Sequence, residues 1–79
     1  MIKIYTKSHC PYCTKAKMTL ENAGLKYEEH VLTSSEEFDE LKARSGHMTV
    51  PQIFVGDVFI GGSDDLDRRL EEVVKMSQN

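Results

Sequence analysis

The chain has 79 residues and a mass of 9.0 kDa, room for one small domain that buries only about 60 to 65% of the surface its unfolded form exposes. A composition of 39% hydrophobic and 29% charged residues suits a soluble globular domain and argues against disorder. With a net charge of −3, non-specific nucleic-acid binding, which needs a basic face, is not expected, and without a run of about 20 apolar residues no membrane span is expected. The opening Met1 to Tyr5 lacks the features of a signal peptide, so a cytoplasmic single domain over residues 1–79 is the expectation.

In chain order, Ile2 to Tyr5 alternates as a strand, and a central one, because β-branched residues open the domain. Thr6 to His9 form a loop. Pro11 suits a first helical turn, where its missing N–H is not needed. Cys13, Ala16, Lys17, Leu20 and Ala23 then follow at helical spacing, with the stem of Lys17 at the border and Gly24 as a left-handed stop. Lys26 to Leu32 reads as a polar second strand, with Tyr27, Val31 and Leu32 as its apolar members. Ser34 and Glu37 have capping-box spacing. The helix they open carries Phe38, Leu41 and Ser45 on one side and ends at Gly46, and its run of acids reads as a solvated face.

Val50 to Val55 and Val58 to Ile60 are β-rich and separated by Gly56-Asp57, a two-residue hairpin pattern. Gly61 and Gly62 interrupt the strand pattern. Ser63 can cap a last helix, where Leu66, Leu70, Val73 and Val74 make a core-facing stripe, and Met76 to Asn79 read as a frayed tail. The order β-α-β-α-β-β-α predicts an α/β fold with a four-stranded mixed sheet flanked by three helices, its first βαβ unit right-handed.

The two cysteines, Cys10 and Cys13, carry the chemistry. Closing so short a loop gives about 2 kcal/mol at best in the chain-entropy model, so the pair is a poor staple. Three readings stand side by side. Zinc would need a second half from His9, His30 and His47, but His9 adjoins Cys10 and the other two lack the spacing of a compact pair. Two buried structural cysteines would leave the Pro-Tyr gap and the helix-start position without a reason. A thiol–disulfide couple accounts for both: Cys-x-x-Cys beside a βαβ pattern in a cytosolic chain is its expected form. The attacking species is a thiolate. Cys10 sits where free helix N–H groups favour negative charge, with Lys7 as a nearby cation. Cys13, one turn inside, can attack a mixed disulfide on Cys10 as the resolving thiol.

Cys10-Pro11-Tyr12-Cys13 resembles the active site of a dithiol glutaredoxin, in the thioredoxin-like superfamily. Tyr5-Thr6-Lys7, Thr49-Val50-Pro51 and Gly61-Gly62-Ser63-Asp64-Asp65 resemble three further stretches of that family, in register over nearly the whole chain. The resemblance implies a cis bond before Pro51, which turns the Val50 backbone towards Cys10. It also implies a glutathione groove formed by Lys7, Tyr12, Thr49, Val50, Pro51, Gly62, Ser63 and Asp64. In that groove Val50 pairs with the cysteinyl part of glutathione as an added strand, and Gly62 to Asp64 hold the γ-glutamyl end.

The implied activity is glutathione-dependent reduction of protein disulfides and glutathione mixed disulfides. Glutathione would be the co-substrate and no metal is expected. Partners would be disulfide-containing or glutathionylated proteins, ribonucleotide reductase among the family's possibilities, and the chain would act as a monomer. The chain also departs from the family. Met48 stands where relatives often carry Arg, Phe38 where they carry Gln, Lys or Arg, and Ser63 where many have a third cysteine. The anion clamp for the glycine carboxylate then falls to Lys7, with Arg44 or His47 as helpers.

Two alternatives follow from the same resemblance. A glutaredoxin-like electron donor reduced by thioredoxin reductase would share the Cys-x-x-Cys but usually lacks the Gly61-Gly62-Ser63-Asp64 turn. An iron–sulfur carrier would hold a cluster with Cys10 from two subunits and two glutathiones, which a proline directly after Cys10 generally disfavours.

Overall fold

A computed structural model describes residues 1–78. The elements run β1 (Ile2–Thr6), α1 (Pro11–Asn22), β2 (Tyr27–Val31), α2 (Ser35–Ser45), β3 (Gln52–Val55), β4 (Val58–Gly61), α3 (Ser63–Arg68) and α4 (Leu70–Ser77). The strands form one sheet in the order β2-β1-β3-β4. β1 pairs parallel with β2 and antiparallel with β3, and β3 pairs antiparallel with β4. This is the expected mixed sheet, with β1 in its interior.

Strand alternation divides the core in two. Ile2, Ile4, Ile53, Val55 and Ile60 pack with Ala16 and Leu20 of α1, Leu66 of α3 and Val73 of α4. The residues between them on the strands point the other way. Tyr5 and Phe54 meet Leu32 and Leu41, with Phe38 and Phe59 against them. The sheet is therefore a middle layer between α1, α3 and α4 on one face and α2 on the other. Each fully buried aliphatic side chain stabilises this arrangement by about 1.5–3 kcal/mol before entropy is counted.

The helix stops follow local rules. Gly24 and Gly46 take φ of 73° and 78°, and the Gly46 N–H closes α2 on the Lys42 carbonyl at 2.7 Å. Ser34 caps α2, its hydroxyl accepting from the Glu37 N–H at 3.3 Å. The reciprocal arm of the capping box lands one residue earlier than the spacing predicts. Glu37 accepts from the N–H and hydroxyl of Thr33 and is bonded at 2.8 Å to His30 at the end of β2. The hairpin turns at Gly56-Asp57 with Val55 opposite Val58, as expected.

Three expectations are corrected. The last helix is two, α3 and α4, so four helices flank the sheet. The chain bends at Arg69, whose φ of −107° and ψ of 17° leave the helical region. Arg69 is held there by a bond from its guanidinium to the Ile60 carbonyl at 3.2 Å and by a pair with Glu72. Val31 is exposed rather than apolar-packed, because β2 is an edge strand whose faces are only partly covered. The frayed tail is also shorter than expected. Met76 and Ser77 belong to α4 and Met76 packs on the core, while Asn79 lies outside the described residues.

The Glu37 contacts generate a pH prediction. Bonds from His30 and Thr33 hold the Glu37 carboxyl well below its usual value, at about 2. A depressed folded-state value means the stabilisation is complete above the ordinary carboxylate range and lost as pH falls through that range towards 2. Glu37→Gln should lower the melting temperature at neutral pH, and the gap to the parent should close as thermal melts are taken down to about pH 2.

Candidate functional site

The site begins where β1 runs out. A turn at Ser8 and His9, with His9 in the left-handed region at φ 56°, reverses the chain into α1. Cys10 is the N-cap of α1, extended at φ −118° and ψ 100°, and Pro11 opens the first turn. The Cys10 sulfur accepts a hydrogen bond from the Cys13 N–H at 3.3 Å, the position a capping oxygen normally takes. Cys10 and Cys13 are joined as a disulfide with a Cα–Cα distance of 5.2 Å, within the usual range for such a bond. Cys10 is half-buried, whereas Cys13 is 2% exposed. The sulfur that solvent and a partner can reach is Cys10.

A second loop meets it from between α2 and β3. The Val50–Pro51 peptide is cis, and the Val50 carbonyl oxygen lies 3.9 Å from the Cys10 sulfur. The loop is held from inside. Gln52, 2% exposed, donates its side-chain N–H groups to the carbonyls of His47 at 3.0 Å and Thr49 at 2.9 Å. The His47 N–H donates to the Ser45 hydroxyl at 3.1 Å. Sequence reasoning missed Gln52. The available sign was a polar side chain at the start of an otherwise apolar strand run, directly after a proline.

The third piece is the turn from Gly61 to Asp65. Gly61 has φ of 132°, and a side chain there would overlap that of Asp65. Asp65 accepts from the Gly62 N–H at 3.3 Å and pairs with Arg68. Its carboxyl is held below the usual range, chiefly by the Gly62 N–H, with burial opposing and Arg68 and then His47 adding in the same direction. α3 has six residues, so this turn offers its own N–H groups rather than the dipole of a long helix.

These loops border a groove of about 450 Å³, in the size range of a small-molecule site. Of the residues expected to bind ligand, Tyr12, Thr49, Val50, Pro51, Gly62, Ser63 and Asp64 line it. Lys7 is exposed and is not among the lining residues. His47, expected only as a helper for the glycine carboxylate, and Asp65, not expected to bind ligand, complete the lining. Arg44 is engaged elsewhere: it donates to the Tyr5 hydroxyl at 3.1 Å and stacks over the Phe54 ring. Phe38 packs against the core beneath α2, Met48 is 72% exposed, and the buried Ser63 hydroxyl has no hydrogen-bond partner among the described residues.

The arrangement offers an accessible sulfur at a helix start, a buried sulfur one turn behind it, and a peptide edge opening on a groove. As for zinc, no group of three His, Cys, Asp or Glu side chains able to hold a metal occurs among the described residues. His30 is bonded to Glu37 and His47 packs on Phe59. The loop anchor yields a prediction: Gln52→Leu leaves two loop carbonyls unpaired and should cost about 1–3 kcal/mol in urea unfolding. Hydrogen exchange should quicken in the loop 47–50 and stay unchanged in α1.

The glutaredoxin family model matches residues 2–60. The chain is 44% identical over 73 residues to a glutaredoxin of Neisseria meningitidis serogroup A, covering 90% of this chain and 86% of that one. It is 48% identical over 67 residues to the hybrid peroxiredoxin hyPrx5 of Haemophilus influenzae, covering 85% of this chain but 28% of that protein. Among solved structures, the glutaredoxin–glutathione complex of buckwheat superposes with a TM-score of 0.86 at 26% identity, over 98% of this chain and 76% of that one. With the paired cysteines at the helix start and the thioredoxin-like sheet behind them, the chain belongs to the glutaredoxin family, as a thiol–disulfide oxidoreductase of the dithiol kind.

Proposed function

We propose that the chain reduces protein disulfides and glutathione mixed disulfides at the expense of glutathione, with Cys10 as nucleophile and Cys13 as resolving thiol. The observation that carries this reading is the Cys10 sulfur at the α1 N-cap, accepting the Cys13 N–H and facing the Val50 carbonyl. A donor N–H already aimed at the sulfur favours the thiolate over the thiol, which is the form that attacks.

In the reduced protein, the Cys10 thiolate attacks the glutathione sulfur of a glutathionylated substrate. The old S–S bond breaks, its electron pair leaves with the substrate thiolate, and a Cys10–glutathione disulfide remains. A second glutathione thiolate then attacks the bound glutathione sulfur, releasing glutathione disulfide and the Cys10 thiolate. With a protein disulfide, Cys10 forms a mixed disulfide with the substrate. The Cys13 thiolate attacks the Cys10 sulfur, the substrate leaves as a dithiol, and the Cys10–Cys13 disulfide forms. Two glutathiones reduce it, one electron pair passing from glutathione to substrate in the whole cycle.

Glutathione lies along the groove in this reading. Val50 pairs its main chain with the cysteinyl residue between Thr49 and Pro51, and Tyr12 covers the thiol end. The turn of Gly62, Ser63 and Asp64 receives the γ-glutamyl end. Lys7 contributes positive charge from beside the active-site loop. The presence of glutathione in the buckwheat complex and the groove lining here both support it. The chain acts as a cytoplasmic monomer in this reading.

The test separates the two cysteines. Cys10→Ser should abolish turnover of a glutathione mixed disulfide, while Cys13→Ser should keep most of it and lose reduction of protein disulfides. Equal loss in both variants, followed by coupling to glutathione reductase and NADPH, would contradict the assigned roles.

A further inference from the structure

We propose that the α2 face of the sheet carries a second ligand site, away from the cysteines, for a small zwitterion of the dipeptide kind. Lys3, Arg44 and the Tyr5 hydroxyl hold its carboxylate, and Glu28 meets its ammonium.

The site follows from how far α2 reaches. Ile2 and Ile4 of β1 face α1, so Lys3 and Tyr5 face the other way. Leu41 of α2 covers Tyr5, which is 7% exposed, but the helix leaves Lys3 open to solvent in the middle of an interior strand. Two cavities of about 290 and 230 Å³ lie on this face, and Lys3, Tyr5 and Arg44 line both. Neither cavity shares a residue with the groove beside Cys10.

The three shared residues present donors without acceptors. Arg44 is fixed before any ligand arrives: it lies over the Phe54 and Tyr5 rings at 5.3 and 5.9 Å and donates to the Tyr5 hydroxyl at 3.1 Å. Its other N–H groups, and the Tyr5 O–H itself, reach no acceptor among the described residues. Neither Arg44 nor Lys3 has an ion-pair partner among them. A planar guanidinium held in one place, with a free edge beside a hydroxyl and an ammonium, matches a carboxylate. Being pre-organised, it loses little side-chain freedom on binding.

The walls decide what that carboxylate must carry with it. Glu37 is spent on His30 and Thr33. Glu28, across from Lys3 in the parallel pairing of β1 and β2, and Asp57 of the hairpin line the smaller cavity and have no ion-pair partner among the described residues. Acids this close oppose a dianion such as phosphate and favour an anion with a positive charge attached. Paired strands lie about 4.8 Å apart, so the ligand's two charges sit about one strand spacing from each other. That separation suits the two ends of a dipeptide better than an α-amino acid, whose charges share one carbon.

The test is a titration of the parent protein with glycylglycine at neutral pH, followed by amide chemical shifts. Saturable shifts are expected at Lys3, Glu28, Arg44 and Asp57. Glycylglycinamide, which lacks the carboxylate, should give none, and acetylglycylglycine, which lacks the ammonium, should bind about two- to five-fold more weakly. Arg44→Gln should weaken glycylglycine about ten-fold, the scale of a charge-assisted bond, and Lys3→Gln about two- to five-fold. Glu28→Gln should weaken glycylglycine to the level of acetylglycylglycine and leave the latter unchanged. Lys3→Gln and Glu28→Gln should keep the parent's kcat and KM for a glutathione mixed disulfide.

An absence of saturable shifts, equal binding of glycylglycinamide, or affinity untouched by Lys3→Gln would each overturn the proposal. So would shifts confined to residues 49–51 and 62–64, which would place the dipeptide in the groove beside Cys10. None of these results bears on the assignment of that groove to glutathione, which is decided by turnover.

Discussion

The interaction on which the rest depends is the hydrogen bond from the Cys13 N–H to the Cys10 sulfur. A helix start leaves several N–H groups without partners inside the helix, and an oxygen from Ser, Thr or Asp normally takes one of them. Here a sulfur does. The same geometry that begins the helix favours negative charge on that sulfur, so a local rule of helix capping becomes a chemical device. It works only if α1 cannot slide, and its hold lies in the core. Ala16 and Leu20, both fully buried, lock α1 against Ile2 and Ile4 of β1.

The remaining loops are brought to that sulfur by the sheet. β1 ends just before the active-site turn, β3 begins just after the cis proline, and β4 ends at the Gly61 turn, so three connections gather at one end of the sheet. Holding them there requires burying polar groups. Gln52 gives its amide to two loop carbonyls, yet its own side-chain oxygen has no partner among the described residues, and neither does the Ser63 hydroxyl. In a chain with so little core, unpaired buried atoms cost stability, and both lie where the loops of the groove meet. Thr6, buried at the end of β1, is satisfied by Glu29, which Lys17 of α1 also meets. That small network ties strand, edge strand and helix together just beneath the active-site turn.

Much of the fold was legible because its determinants are local. Alternation marked β1, helical spacing marked α1, Ser34 and Gly46 bracketed α2, and Gly56-Asp57 placed the hairpin. The split at Arg69 was not legible. The apolar spacing from Leu66 to Val74 continues through it without glycine or proline, and what bends the chain is a guanidinium reaching a carbonyl on β4. Likewise the arm of Glu37 was assigned by spacing to the N-cap, whereas the edge strand's His30 draws the carboxylate across to Thr33 and itself. In the site, Cys10 and Cys13 stood out by type and spacing. Gln52 did not, and His47 was named only as a helper for the glycine carboxylate, since the roles of both rest on what lies opposite them rather than on any neighbour in the chain.

By itself, the order of residues determined the element types, the pairing of two cysteines across one helical turn, and the family resemblance that those cysteines carry. These depend on backbone geometry over a few residues, which repeats wherever the same residue types occur. Only the tertiary structure decided which sulfur is exposed, which carbonyl faces it, and which charges share the groove. Cys10 and Val50 are 40 residues apart in sequence and 3.9 Å apart at their facing atoms. His47 reaches the groove because a buried amide and an aromatic ring from two strands hold its loop, while Lys7, close to Cys10 in the chain, does not line it. Nearness along the chain constrains where a side chain starts, but packing against the sheet decides where it ends.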